Sequence, residues 1–247
     1  MEVVAKPFSR NQLLSALPSA ELAQIRPYLT RVKWISGQGL YAAGEPIQQV
    51  FFVEEGFASV VAEAEDFSGG TEVGLVGREG MTGFAALLSP EALSFNRTMV
   101  QMRGAALRMP ARRLYDSLGT LPVLRRLLFR ALEEAMAQVA QTAACNARHS
   151  LTQRLARWLL MAHDRADGDE LALTQAFMSV MLAVRRSGVT VAIQMLQAEG
   201  VAGQRRGHVI VRDRAGLEAA ACGCYGRVQA FVAALAAGDR EDPDRAS

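Results

Sequence analysis

Cysteine, histidine and long apolar runs are all scarce in this 247-residue chain. The three cysteines, Cys145, Cys222 and Cys224, cannot build a disulfide framework, and reduced thiols fit the cytosol. The three histidines, His149, His163 and His208, form no plausible grouping with carboxylates. No Walker loop, His-Glu-x-x-His or Gly-x-Ser-x-Gly occurs, which argues against an enzyme. Although 50% of the residues are apolar, none of the runs reaches the roughly 18 residues that suggest a membrane span. The start, MEVVAKPFSRNQ, lacks the basic end, apolar core and cleavage site of a secretory signal. A cytoplasmic protein without a membrane partner is expected. A formal net charge of +2 also excludes a polycation.

Charge is instead unevenly distributed. Leu171 to Arg227 holds seven arginines against three acids, a local excess of four positive charges that suits phosphate contacts. Within it, LTQAFMSVMLAVRRSGVTVAIQMLQ (173–197) predicts two short helices across a tight turn at Leu182-Ala183-Val184. Thr174 is the expected N-cap of the first and a candidate DNA contact. Val189, Ala192, Ile193 and Leu196 give the second an apolar face. Its other face carries Arg185, Arg186, Ser187, Thr190 and Gln194, residue types that bond base edges and phosphates. Two arginines at a helix start oppose its macrodipole, a cost that a polyanion lying there would offset. The alternative is a solvated charged face. Residues 201–204 and 208–211 then predict two strands around Arg205-Arg206-Gly207, a basic wing placed to touch phosphates.

Upstream, residues 11–29 predict two lead-in helices broken at Leu17-Pro18-Ser19. From Val32 to Pro110, short apolar runs alternate with turns at 43–46, 54–56, 66–70 and 78–80, as in an antiparallel β roll or barrel. A long helix is expected from about Pro122 to Ala147, with Leu124, Leu128, Leu132, Ala135, Val139 and Thr142 in one stripe. That stripe suits a dimer seam; the alternative is packing on the chain's own β-domain. Ser150 to Ala166 predicts an amphipathic helix, and 238–247 a polar tail. Cys222-Gly223-Cys224 lacks further ligands in sequence for a closed zinc site, and Cys145 suits a small filler in the helix seam.

Several motifs fall in one order: Leu40 with Gly44-Glu45, the Phe52-x-x-x-Gly56 hairpin, Gly80-Met81-x-Gly83, and Leu173-Thr174 through Arg185-Arg186. In this order the chain resembles the Crp/Fnr superfamily of transcription regulators over roughly residues 10–220. The resemblance implies an α+β protein: an N-terminal antiparallel jelly roll of the cyclic-nucleotide-binding type (1–120), a long dimerisation helix (121–147), a C-terminal winged helix-turn-helix (148–230) and an extension (231–247). It implies a homodimer bound to double-stranded DNA, and RNA polymerase as a partner if the protein activates. A signalling module acting through protein contacts is the alternative. Gly83-Phe84 and Arg97-Thr98 match the two halves of the family's nucleotide pocket, but Phe84 stands where the ribose-binding carboxylate belongs, which argues against cyclic AMP. No cysteine precedes Cys145, so the N-terminal iron–sulfur cluster of some relatives is not expected, nor is any other cofactor.

Overall fold

A computed structural model describes residues 8–64 and 67–241. The chain opens with α1 (Gln12–Ser15) and α2 (Ser19–Ile25), broken at the expected Leu17-Pro18. Asn11 caps α1 through a 3.2 Å bond from the Leu14 N–H, while its own amide donates to the Val53, Arg78 and Gly80 carbonyls. One buried asparagine thus anchors the lead-in to the sheet.

The β-domain comprises β1 (Thr30–Trp34), β2 (Gly39–Tyr41), β3 (Gln49–Ala64), β4 (Phe67–Val76), β5 (Met81–Thr82) and β6 (Arg97–Pro110). β6 pairs with β1, β2 and β3, and β3 also pairs with β4 and β5, all antiparallel. The hairpin expected at Glu54-Glu55-Gly56 is not a turn. The chain runs straight through it as β3, with register shifts on either side of Glu55. Gly56 has φ +73°, and a Cβ there would collide with the Met102 and Arg103 carbonyl oxygens. The glycine therefore marks a bulge where two backbones meet closely, not a reversal. The turns at 43–46 and 78–80 are present. That expected at 66–70 begins outside the described residues, and from Phe67 the backbone is already in β4.

After β6, α3 (Ala111–Ser117) leads into α4 (Pro122–Arg148). No side chain of its own caps α4. Glu21 of α2 does so instead, accepting from the Val123 and Leu124 N–H groups at 3.0 and 2.8 Å, which also places negative charge at the positive end of the helix. Further along, Gln138 bonds both the N–H and the carbonyl of Leu75, so a helix side chain satisfies the outer edge of β4.

The C-terminal part follows as α5 (Leu151–His163), β7 (Glu170–Leu171), α6 (Gln175–Met181), α7 (Arg186–Ala198), β8 (Ala202–Arg205), β9 (His208–Val211), α8 (Arg214–Ala220) and α9 (Cys224–Glu241). Ser150 and Gln153 form a capping box at the start of α5. The amphipathic helix expected over 150–166 is present as α5, ending at His163, and residues 155–162 are all buried, so it is a central helix of this part. α9 runs unbroken past residue 230, where a boundary was expected, and into the polar 238–247 segment as far as Glu241; the rest of that segment lies outside the described residues.

One apolar core joins Phe57, Val61 and Leu75 of the roll to Trp158, Leu159 and Met178 of the C-terminal part. A second, between the roll and the helices that flank it, joins Phe52 and Met81 to Leu114 of α3 and Leu124 and Leu128 of α4. At the junction the Trp158 indole donates to Glu72 at 2.5 Å, and Ser59 donates to the other carboxylate oxygen at 2.6 Å. Burial pushes the Glu72 carboxyl up to about 7, against the pull of those two donors and of Arg165 and Arg157. No single helix among the described residues is long and apolar enough to cross a membrane.

Candidate nucleic-acid interface

The Thr174 hydroxyl accepts from the Phe177 N–H at 3.1 Å and starts α6. α6 and α7 meet at 107°, within the range typical of helix-turn-helix pairs. The turn between them has no glycine, and Ala183 takes the left-handed conformation itself at φ +51°. That conformation strains a non-glycine residue; Arg154 of α5 braces the turn by donating to the Leu182 carbonyl at 2.6 Å and to Asn146 of α4 at 3.0 Å.

Val189, Ala192, Ile193 and Leu196 are all buried, so the opposite face of α7 is the presented one. Arg185, Arg186, Ser187 and Gln194 are exposed, and Thr190 is half-buried. Neither Arg185 nor Arg186 forms an ion pair among the described residues, and no acid lies in the first turn of α7. Thr190 is already engaged: its hydroxyl lies 3.0 Å from Gln175 Oε1 and 3.1 Å from the Arg186 carbonyl. Gln175 in turn donates to Gln204 of β8 at 3.0 Å. This glutamine, which the sequence did not single out, links the presented helix to the hairpin. Val191 is 57% exposed and Met195 49%. Their place among polar residues on that face offers apolar contact of the kind a thymine methyl makes.

β8 and β9 pair from Ala202↔Val211 to Arg205↔His208, leaving Arg206-Gly207 as a two-residue tip with Gly207 at φ +77°. β7 adds a third strand beside β9 that the sequence pattern had hidden, because two residues are too few to show alternation. It matters electrostatically. Glu170 of β7 takes Arg205 at 2.6 Å and lies 3.2 Å from His208 Nδ1, so Arg205 is partly neutralised. Arg206 forms no ion pair among the described residues, while Arg214 is engaged by Asp164 and Glu218.

Of the residues expected in an effector pocket, Gly83 and Thr98 both flank Tyr41, while Arg97 engages Glu63 and Phe84 lines a separate cleft. Gly83 sits at φ +84° beside the Tyr41 hydroxyl, and Thr98, buried, pairs through its backbone with Tyr41. Arg97 lies on β6 with its Nε 2.9 Å from Glu63. Phe84 packs on the roll's core and lines a cleft of about 410 Å³ between the roll, α4 and α9, together with Leu75, Arg130 and Glu134. Arg97 and Thr98 do not line that cleft.

The stripe expected to form a dimer seam is divided. Leu124 and Leu128 are wholly buried inside the chain's own core, and Leu132 and Ala135 are partly buried. Only Val139 of that set counts as exposed. Apolar residues face outward on a stripe rotated around the helix: Phe129, Met136 (65% exposed), Val139, Ala140 and Ala143. With Leu132 they repeat at three- and four-residue intervals, the spacing of a helix-pairing seam.

Residues 153–220 match the family model of the Crp-like helix-turn-helix domain. Among solved structures, the chain is similar to FixK2 from Bradyrhizobium japonicum, with 16% identity and a TM-score of 0.67 over 78% of this chain and 98% of that one. It is similar to the global regulator CLP of Xanthomonas campestris, described as responsive to c-di-GMP (17% identity, TM-score 0.62, 78% and 99% covered). It is also similar to a CRP/FNR-family transcriptional regulator from Thermus thermophilus (19% identity, TM-score 0.63, 78% and 98% covered). No curated protein sequence matches significantly. The DNA-binding domain is thus of the Crp type, and the chain has the Crp/Fnr fold.

Proposed function

We infer that this chain, with its Crp-like helix-turn-helix domain set on a Crp/Fnr-type fold, is a dimeric, sequence-specific transcription regulator that lays α7 in the major groove of DNA. The observation that carries this reading is the pair Arg185 and Arg186, exposed, without ion pairs among the described residues and set at the positive end of α7. Phosphate lying there gains from both the helix dipole and the guanidinium groups. Arg186, Ser187, Gln194 and Val191 then face base edges, and Arg206 at the wing tip faces the neighbouring backbone.

Two copies pair through the outward stripe Phe129, Leu132, Met136, Val139 and Ala143, which brings two α7 helices to half-sites about one helical turn apart. The roll acts without a cyclic nucleotide. Phe84 puts an aromatic ring where a ribose would need a carboxylate, and Glu63 already takes the Arg97 guanidinium. Fluorescence anisotropy of the full chain on duplex DNA across a salt series tests the function. The logarithm of affinity falls linearly with the logarithm of salt concentration, with a slope of about −0.9 per phosphate contacted. No binding to duplex DNA, or binding whose affinity does not change with salt, rejects it.

A further inference from the structure

Cys145, His149, Cys222 and Cys224 are dispersed in the sequence but converge at one end of α4. Cys145 and His149 are four residues apart, on the last turn of α4 and its C-cap, and so point to one side. Cys222 and Cys224 come from the turn joining α8 to α9. Their ligand atoms all lie within 4.8 Å of one another. Cys145 Sγ is 3.4 Å from Cys222 Sγ, and Cys224 Sγ is 3.5 Å from His149 Nδ1. A tetrahedral zinc ion with its usual bond lengths would place sulfurs about 3.8 Å apart, and sulfur about 3.5 Å from nitrogen. A multi-iron cluster would hold its sulfurs farther apart. The expectation that Cys222-Gly223-Cys224 lacks partners is therefore overturned by the fold, and Cys145 is more than a filler.

Two surrounding groups point the same way. The Gln141 amide donates to Cys224 Sγ at 3.0 Å, a bond that a thiolate accepts far better than a thiol. Arg157 is buried and forms no ion pair among the described residues. It bonds only Thr142 through Nη2 and leaves its Nε without a partner. With Arg154 it lines the same small cavity as Cys145. A dication held by three thiolates and a neutral imidazole has a net charge of −1, which adds to Glu72 across the same cavity in compensating the buried Arg157.

We propose that Cys145, His149, Cys222 and Cys224 form a Cys3His site for a single zinc-type divalent ion, tying the C-terminal helix α9 to the end of α4. Binding displaces one proton from each thiol and leaves the His149 imidazole neutral, coordinated through Nδ1. The partly exposed His149 gives the ion a route in from solvent. The ion closes a brace at the point where the chain turns from α4 into α5, so the seating of α9 on α4 depends on metal.

The test uses the full chain, purified under reductant, with zinc per chain measured by elemental analysis and cobalt(II) as the spectroscopic probe. One ion per chain is expected. Cobalt should give the intense visible bands of a tetrahedral ion and thiolate-to-metal charge transfer in the near ultraviolet. Cys145→Ser and Cys222→Ser each lose zinc affinity at least about a hundredfold, and Gln141→Ala about tenfold with the fold intact. Chelation raises hydrogen exchange along α9 and leaves β3 unchanged. If a serine variant fails to fold, His149→Ala carries the test through the altered cobalt spectrum. Substoichiometric metal in folded, fully reduced protein overturns the proposal, as does unchanged affinity in folded ligand variants. So does a Cys145–Cys222 disulfide that, once reduced, leaves protein unable to take up zinc.

Discussion

Replacing Leu128 by alanine and Met136 by glutamate separates the two faces of α4. Leu128 is wholly buried among Leu14, Leu114 and Leu124. Truncation leaves a cavity in a core that closes only partly, a loss of about 2–5 kcal/mol. In a chain of this size each kcal/mol lowers Tm by about 2–4 °C, so a mid-range loss of about 3 kcal/mol lowers it by about 6–12 °C. The remaining folded protein still dimerises. Met136 is 65% exposed in the single chain, so Met136→Glu changes the stability of one chain by less than about 0.5 kcal/mol. In the dimer it places two carboxylates against an apolar seam, which favours separation. Sedimentation beside thermal unfolding reads both quantities. A Leu128→Ala variant that is monomeric with unchanged Tm, or a Met136→Glu variant that stays dimeric, refutes the rotated seam.

Other predictions concern DNA, pH and ligand. Arg186→Ala loses about 1–3 kcal/mol at one base pair per half-site, measured on operator and point-substituted duplexes. Arg206→Ala weakens all duplexes alike and makes the salt slope shallower by about 1 per subunit. Glu72 holds its proton up to about pH 7 in the folded chain, whereas the ordinary value is 4.5. Between those values the unfolded chain has released a proton that the folded one keeps, so stability falls as pH rises, by at most about 1.4 kcal/mol per pH unit. Glu72→Gln removes that fall from urea unfolding curves taken between pH 4.5 and 7. Calorimetry with cyclic AMP and cyclic GMP shows no heat of binding at micromolar ligand; binding coupled to tighter DNA affinity would overturn the reading of Phe84.

The helix-turn-helix was legible because its signals are local. A threonine cap, an apolar set repeating at three and four residues, and two strands around a glycine tip need no distant partner to be recognised. Gly56 misled because a glycine between apolar runs signals a turn locally, whereas β6 approaching from about fifty residues away makes it a bulge. The α4 stripe showed the same limit. Periodicity finds an apolar face but not what covers it, and the roll covers Leu124 and Leu128. The Cys145–Cys222 pair spans 77 residues. Only the packing of α9 on α4 brings its ligands together, as only the approach of α5 to β4 joins Trp158 to Glu72.

The most direct measurement is selection of bound sequences from a randomised duplex pool by the wild-type chain and by Arg186→Ala, at fixed salt. The account predicts that the wild type enriches an inverted repeat with half-site centres about one helical turn apart, and that Arg186→Ala loses preference at one symmetric position in each half. Enrichment of no common sequence, or the same motif unchanged in the variant, would contradict the placement of α7 as the reading element.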